Sequence, residues 1–147
     1  MIKNSKKGDA GLITKVYGAN IAVKDLDAAV KKYEDLLGIK PFKFMGEGDF
    51  AFPGLKGAAF NIDGFILHLI ASDDPGTSIS KFVESRGEGV FLLSLKSDNV
   101  AEDMKRMEAG GAKFALPEPA RGDFGEVNFV HPKSAHGVQL EVYNPKE

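Results

Sequence analysis

Apolar positions recur along the chain in two periods, and the change of period marks the elements. In "DLDAAVKKYEDLLG" Leu26, Val30, Tyr33 and Leu37 fall on one helical face, with Asp25 where an N-cap belongs and Gly38 where the helix should stop. "DNVAEDMKRMEAGG" repeats the design with Val100, Met104 and Met107, and Gly110-Gly111 ends it. A strand-like run precedes each helix ("VYGANIAV", "GVFLLSL"), and a short extended piece follows each ("IKPFKF", "AKFALP").

The chain therefore states one pattern twice. Gly18 overlays Leu92 at a shift of about 74 positions, and "KDL" overlays "DNV". At a shift of about 73, "GFILHLI" overlays "GVQLEVY", so that glycine meets glycine and Leu67 meets Leu140. Phe60 is matched with Phe129 on the same reasoning, with a longer turn in the second half. The period is too long for a solenoid and predicts two copies of a βαβββ module. A polar arm over 1–13 precedes a single domain over 14–147, with module one at about 14–75 and module two at about 86–145.

This overlay changes the reading of His68, a lone imidazole in an apolar strand. Its counterpart is Glu141, so equivalent strands carry two side chains able to ligate a metal or move a proton. With both facing inward, strand alternation adds Gly64 and Ile66, then Gln139 and Tyr143, to the same side. From the first strands come Gly18, Asn20 and Ala22, then Val90, Leu92 and Ser94. The expected lining is an apolar wall set with a few polar points, as in a small-molecule pocket. If His68 and Glu141 touch, the carboxylate orients the imidazole; a purely structural buried pair stands beside that reading.

Composition narrows the classes. The 147 residues are 43% hydrophobic and 27% charged, with a formal net charge of -2, which suits one globular domain and offers no basic face for nucleic acid. No apolar run is long enough for a bilayer, and the start "MIKNSKKGDAGLITK" has no signal-peptide core, so a cytoplasmic protein away from membranes is expected. The absence of cysteine removes disulfides and thiol chemistry. His131 reads as a strand-end loop residue, His136 as an exposed turn residue, and "RGEG" as a helix stop.

The segments "ANIAVKDLDAAVKKYEDLLG", "ISKFVESRGEG" and "VHPKSAHGVQLEVY" resemble the vicinal oxygen chelate superfamily, which includes glyoxalases, bleomycin-resistance proteins and dioxygenases. Within it, "KFVESRGEG" and "HPKSAHGVQLEV" are most similar to methylmalonyl-CoA epimerase. The resemblance implies an α+β fold, two paired βαβββ modules forming a curved mixed sheet around a cleft, often in a homodimer. It also implies a divalent metal held at four strand positions, here Gly18, His68, Leu92 and Glu141. Only His68 and Glu141 can ligate, so metal is a low expectation and no cofactor the main one. The family's acidic residue before the third strand falls near Ala51 or Phe52, with Glu47 and Asp49 the nearest carboxylates.

The resulting expectation is a small-molecule enzyme of epimerase-like, isomerase or lyase chemistry on a substrate such as an acyl-CoA. His68, as base or acid, and Glu141, as its orienting partner, are its catalytic candidates, and Asn20, Ser94, Leu92, Gln139 and Tyr143 its substrate contacts. Two alternatives stand: a non-catalytic ligand-binding or antibiotic-sequestering protein of the same fold, and a metalloenzyme like lactoylglutathione lyase.

Overall fold

The computed structural model describes residues 13–146. The arm expected over 1–13 therefore lies almost wholly outside the described residues. Module one comprises β1 (Ile13–Ala22), α1 (Leu26–Leu37), β2 (Lys43–Met45), β3 (Lys56–Ile62) and β4 (Phe65–Ala71). A linking helix α2 (Ser78–Arg86) leads to module two: β5 (Gly89–Ser97), α3 (Val100–Ala109), β6 (Ala120–Gly122), β7 (Gly125–Val130), a short 3-10 turn (Pro132–Ser134) and β8 (Leu140–Pro145).

Helix boundaries follow the local chemistry. The Asp25 carboxylate accepts from Ala28 N at 3.1 Å, and Gly38 closes α1 in the left-handed conformation (φ 70°). Asn99 caps α3 by accepting from Glu102 N. Within α3, the buried Asp103 accepts from Ser97 and pairs with Arg106.

All eight strands form one sheet in the order β2-β3-β4-β1-β5-β8-β7-β6. The order is palindromic in module terms: β1 lies parallel to β4, β5 lies parallel to β8, and β1 and β5 join the halves antiparallel. This is the curved α+β sheet expected from the sequence. Helix α1 covers the outer face of module one, packing Val30 against Phe60 and Leu69, and α3 covers that of module two, packing Met104 against Val130 and Val142. Burying such side chains stabilises the fold by about 1.5–3 kcal/mol each. Helix α2 takes the other side, packing Ile79 on Ala22 and Ile70 and closing one end of the concave face.

Two sequence assignments shift. Leu37, the last residue of α1, is exposed rather than part of its packed stripe. Phe129 corresponds to Ala59, not Phe60: Ala59 pairs with His68 as Phe129 pairs with Glu141, whereas Phe60 pairs with Leu67 as Val130 pairs with Leu140. A one-residue slip in a strand exchanges its faces, so Phe60 is core and Phe129 faces the cleft.

Candidate active site

The concave face holds a cavity of about 560 Å³. Its floor is set by register. Across module one the paired residues run Lys43, Ala59, His68, Asn20 and Leu92, each opposite the next. Across module two the row is Gly18, Ser94, Glu141 and Phe129. Of the positions expected from the sequence, Asn20, His68, Leu92, Gln139, Glu141 and Tyr143 line the cavity, and Gly18, Ala22, Gly64, Ile66, Val90 and Ser94 do not.

The polar groups are held in different ways. Ser94 is buried and its hydroxyl donates to Glu141 Oε1 at 2.6 Å, so its proton is committed to the carboxyl. Tyr143 likewise commits its proton, donating to the Phe124 carbonyl at 2.6 Å. Its ring meets Tyr17 edge-on, with centroids 5.1 Å apart. Asn20 Oδ1 and His68 Nδ1 are buried with no hydrogen-bond partner, although their residues pair directly across β1 and β4. No hydrogen bond joins His68 to Glu141, so the orienting contact anticipated between them is made instead by Ser94.

Burial sets the protonation of the pair. Removal from water lowers the His68 imidazole to about 4, helped by the positive charge of Lys43. Burial raises the Glu141 carboxyl to about 7, against the hydrogen bond from Ser94, which favours the charged form. Tyr17 and Tyr143 are both raised, first by burial, and Glu141 adds to each shift. Near neutrality the imidazole is uncharged, and Glu141 is the group poised to exchange a proton.

Other carboxylates are engaged. Asp49 lines the cavity, but its oxygens accept from Gly46 N at 3.0 Å and pair with Lys43 at 3.2 Å; the Gly46 bond is the main cause of its lowered pKa. Glu47 accepts from Gly54 N and does not reach the cavity lining. His131 caps the 3-10 turn by accepting from Lys133 N, and His136 is exposed in a left-handed turn (φ 54°).

The donors do not fit a resident divalent ion. A Cβ on Gly18 would lie 1.8 Å from the Ile66 carbonyl oxygen, so the β1–β4 approach leaves this corner no room for any side chain. Leu92 fills another corner with a buried isobutyl group. Among the described residues no group of three or more His, Cys, Asp or Glu converges. Two strong donors leave most of a divalent ion's coordination to water or neutral amides.

Several contributors escaped the sequence reading. Tyr17 stands where the β1–β5 register shifts between Val16 and Gly18, and simple alternation contains no sign of such a bulge. Phe52, on the β2–β3 loop, crosses the cleft to Phe129, with ring centroids 5.7 Å apart. Helix α2 supplies Thr77, Ile79 and Lys81 from its N-terminal end. None of its residues has a counterpart in the internal repeat, which is the signal that located the strands.

Solved structures with the same architecture include methylmalonyl-CoA epimerases. The enzyme from Mycobacterium tuberculosis superposes with a TM-score of 0.83 at 29% identity, covering 95% of this chain and 93% of its own. A variant of the Streptomyces coelicolor enzyme in complex with 2-nitronate-propionyl-CoA gives 0.82 at 28%, covering 92% and 100%. An epimerase in complex with methylmalonyl-CoA and NH4+ gives 0.82 at 27%, covering 91% and 96%. No curated protein gives a significant sequence match. The profile of one family matches residues 15–142, nearly the whole described chain, and the chain belongs to that family: the Glyoxalase/Bleomycin resistance protein/Dioxygenase superfamily.

Proposed function

We propose that the protein is an isomerase-type enzyme that moves a proton on the carbon next to the carbonyl of an acyl-CoA thioester, without a resident metal. The observation that carries this reading is the Glu141 carboxyl, fixed by Ser94 inside a cavity that Asn20, His68 and Gln139 also enter. Glu141 takes the proton, and the protonated carboxyl returns it, or one exchanged with solvent, to the planar enolate carbon. Meanwhile the enolate oxygen is met by hydrogen bonds from the neutral His68 ring and the Asn20 and Gln139 amides. A neutral imidazole is a suitable donor here, since it polarises the carbonyl without first needing to lose a charge. His68 thus moves from the base suggested by the sequence to the oxygen side. Methylmalonyl-CoA and its nitronate analogue occupy the related epimerases, which supports the thioester class.

The test is α-proton exchange of methylmalonyl-CoA and other acyl-CoA thioesters in D2O, followed by NMR. Exchange that disappears in Glu141→Gln and falls in His68→Ala, with both variants folded, supports the reading. Exchange unchanged in both sinks it. A second reading, a sequestering protein, draws on the dry corner made by Leu92 and on the aromatic walls; it predicts tight binding and unchanged recovery of the ligand. The lactoylglutathione-lyase-like alternative predicts stoichiometric divalent metal by elemental analysis, with activity lost on chelation. We also propose a cytoplasmic homodimer: Phe42 and Phe44 stand exposed at the β2 edge, and sedimentation would show whether two copies associate. No helix among the described residues is long and apolar enough to cross a membrane.

A further inference from the structure

Polarity is unevenly spread around the cavity, and the unevenness describes what fits it. The sheet floor carries Asn20, His68, Gln139 and Glu141. One wall is Phe50, Leu55, Ile70, Ile79 and Phe91, brought together by α2 and the β2–β3 loop; the opposite wall is Phe124, Val127 and Phe129. A volume near 560 Å³ is ample for a ring or a branched group beside the floor.

Cations are scarce here. Among the described residues lining the cavity the one lysine is Lys81, exposed in the first turn of α2, and no arginine contributes. Lys43 stands in the same row as His68 and its charge is felt there, but Lys43 does not line the cavity and Asp49 already pairs with it at 3.2 Å. Of the lining's own carboxyls, Asp49 is already paired with Lys43, Glu141 is held by Ser94, and Asp74 is exposed. A carboxylate on the enclosed part of a ligand would meet apolar rings and the Glu141 carboxyl, with no unpaired cation among the described residues of the enclosed lining. Burial of an unpaired charge costs several kcal/mol.

We infer that the enclosed part of the ligand is uncharged and branched or ring-bearing, and is not a dicarboxylic acyl group, with any charged portion left at the mouth beside Lys81. This deepens the acyl-CoA reading and borrows from it the choice of probe.

The test compares 2-phenylpropionyl-CoA and isobutyryl-CoA with methylmalonyl-CoA by calorimetric titration of the full chain. The thioesters with uncharged acyl groups should bind at least about tenfold more tightly, the scale expected for one uncompensated charge in a partly open site. Leu55→Lys, which places a cation on the loop side of the wall, should narrow or reverse that preference, with folding checked by thermal melting. Equal or tighter binding of methylmalonyl-CoA to the wild type overturns the inference. If no thioester binds, titration with 2-phenylpropionamide and with the half-amide of methylmalonic acid separates the two ideas. Binding of the uncharged amide alone keeps the inference and removes the acyl-CoA reading; binding of neither, or preference for the charged half-amide, overturns the inference.

Discussion

The two modules place polar residues at the same register and treat them in opposite ways. In module two, Ser94 and Glu141 face each other across parallel strands and are joined by a 2.6 Å hydrogen bond. In module one, Asn20 and His68 occupy the equivalent pair, and each leaves a buried atom without a partner. One corner is completed by the protein itself. The other carries an unmet hydrogen-bonding demand, of the kind that native interiors rarely keep without a use. The contrast separates a prepared carboxyl from a recognition corner within a single symmetrical scaffold.

Breaking the prepared corner should have the largest effect. Glu141→Gln keeps the shape and can still accept from Ser94, but it cannot take a proton. Exchange activity should fall by about 10²–10⁴-fold. His68→Ala should cost less, about tenfold, since it removes one hydrogen bond to the oxygen rather than the base. If the His68 variant is the more damaged of the two, the roles assigned to the two corners are reversed.

The next test concerns the positions that lost their donors. Gly18→Ala drives a methyl group into the Ile66 carbonyl, with both partners fixed in paired strands. A loss of about 3 kcal/mol or more is expected from such a clash, read as a lowered denaturation midpoint. Its module-two counterpart, Leu92→Met, conserves volume and should cost less than about 1.5 kcal/mol. Equal tolerance at both positions would mean that β1 and β4 can separate here and that the corner is not closed.

What the sequence disclosed, and what it hid, follows the same division. Periodicity placed α1 and α3, and the internal repeat placed His68 against Glu141, because both signals live in patterns that folding must preserve. Ser94 was read as a substrate contact, since alternation gives the face of a strand residue but not the neighbour that uses its hydroxyl. The β-bulge at Tyr17 and the closure of the cavity by α2 depend on backbone irregularity and on chain packing outside the repeat. Gly18 was legible as a missing ligand. That the backbone of Ile66 leaves it no space was not, because a glycine is silent about what approaches it.

Titration offers a finer division of the two corners. The unfolded chain protonates Glu141 near 4.5, while the folded protein keeps that proton to about 7; raising the pH through this window therefore removes stability. The unfolded chain protonates His68 near 6.5 and the folded protein only near 4, so lowering the pH through that window also removes stability. Between 4.5 and 6.5 the two slopes oppose, and the wild type should be nearly flat there. Glu141→Gln should leave only the His68 slope, with stability rising from pH 4 to 6.5. His68→Asn should leave only the Glu141 slope, with stability falling from pH 4.5 to 7. Each change should amount to about 2 kcal/mol, reduced from the full linkage because the cavity admits solvent. Denaturant melts at stepped pH would show it; flat profiles in both variants would remove the opposition between the corners.

The smallest effects compare the two neutral partners. Ser94→Ala deletes the donor to Glu141 and should destabilise by about 1 kcal/mol at pH 8, where the carboxylate is charged, and by less at pH 5. Asn20→Leu replaces a side chain whose Oδ1 is already unpartnered with an apolar one of similar size. Its stability should match or slightly exceed the wild type, because a buried acceptor without a donor is removed and no bond is lost. The same variant should weaken ligand binding if the Asn20 corner is reserved for recognition. A clear stability loss in Asn20→Leu, with ligand affinity intact, would show that Asn20 has a partner in the folded chain after all and that both modules complete their corners internally.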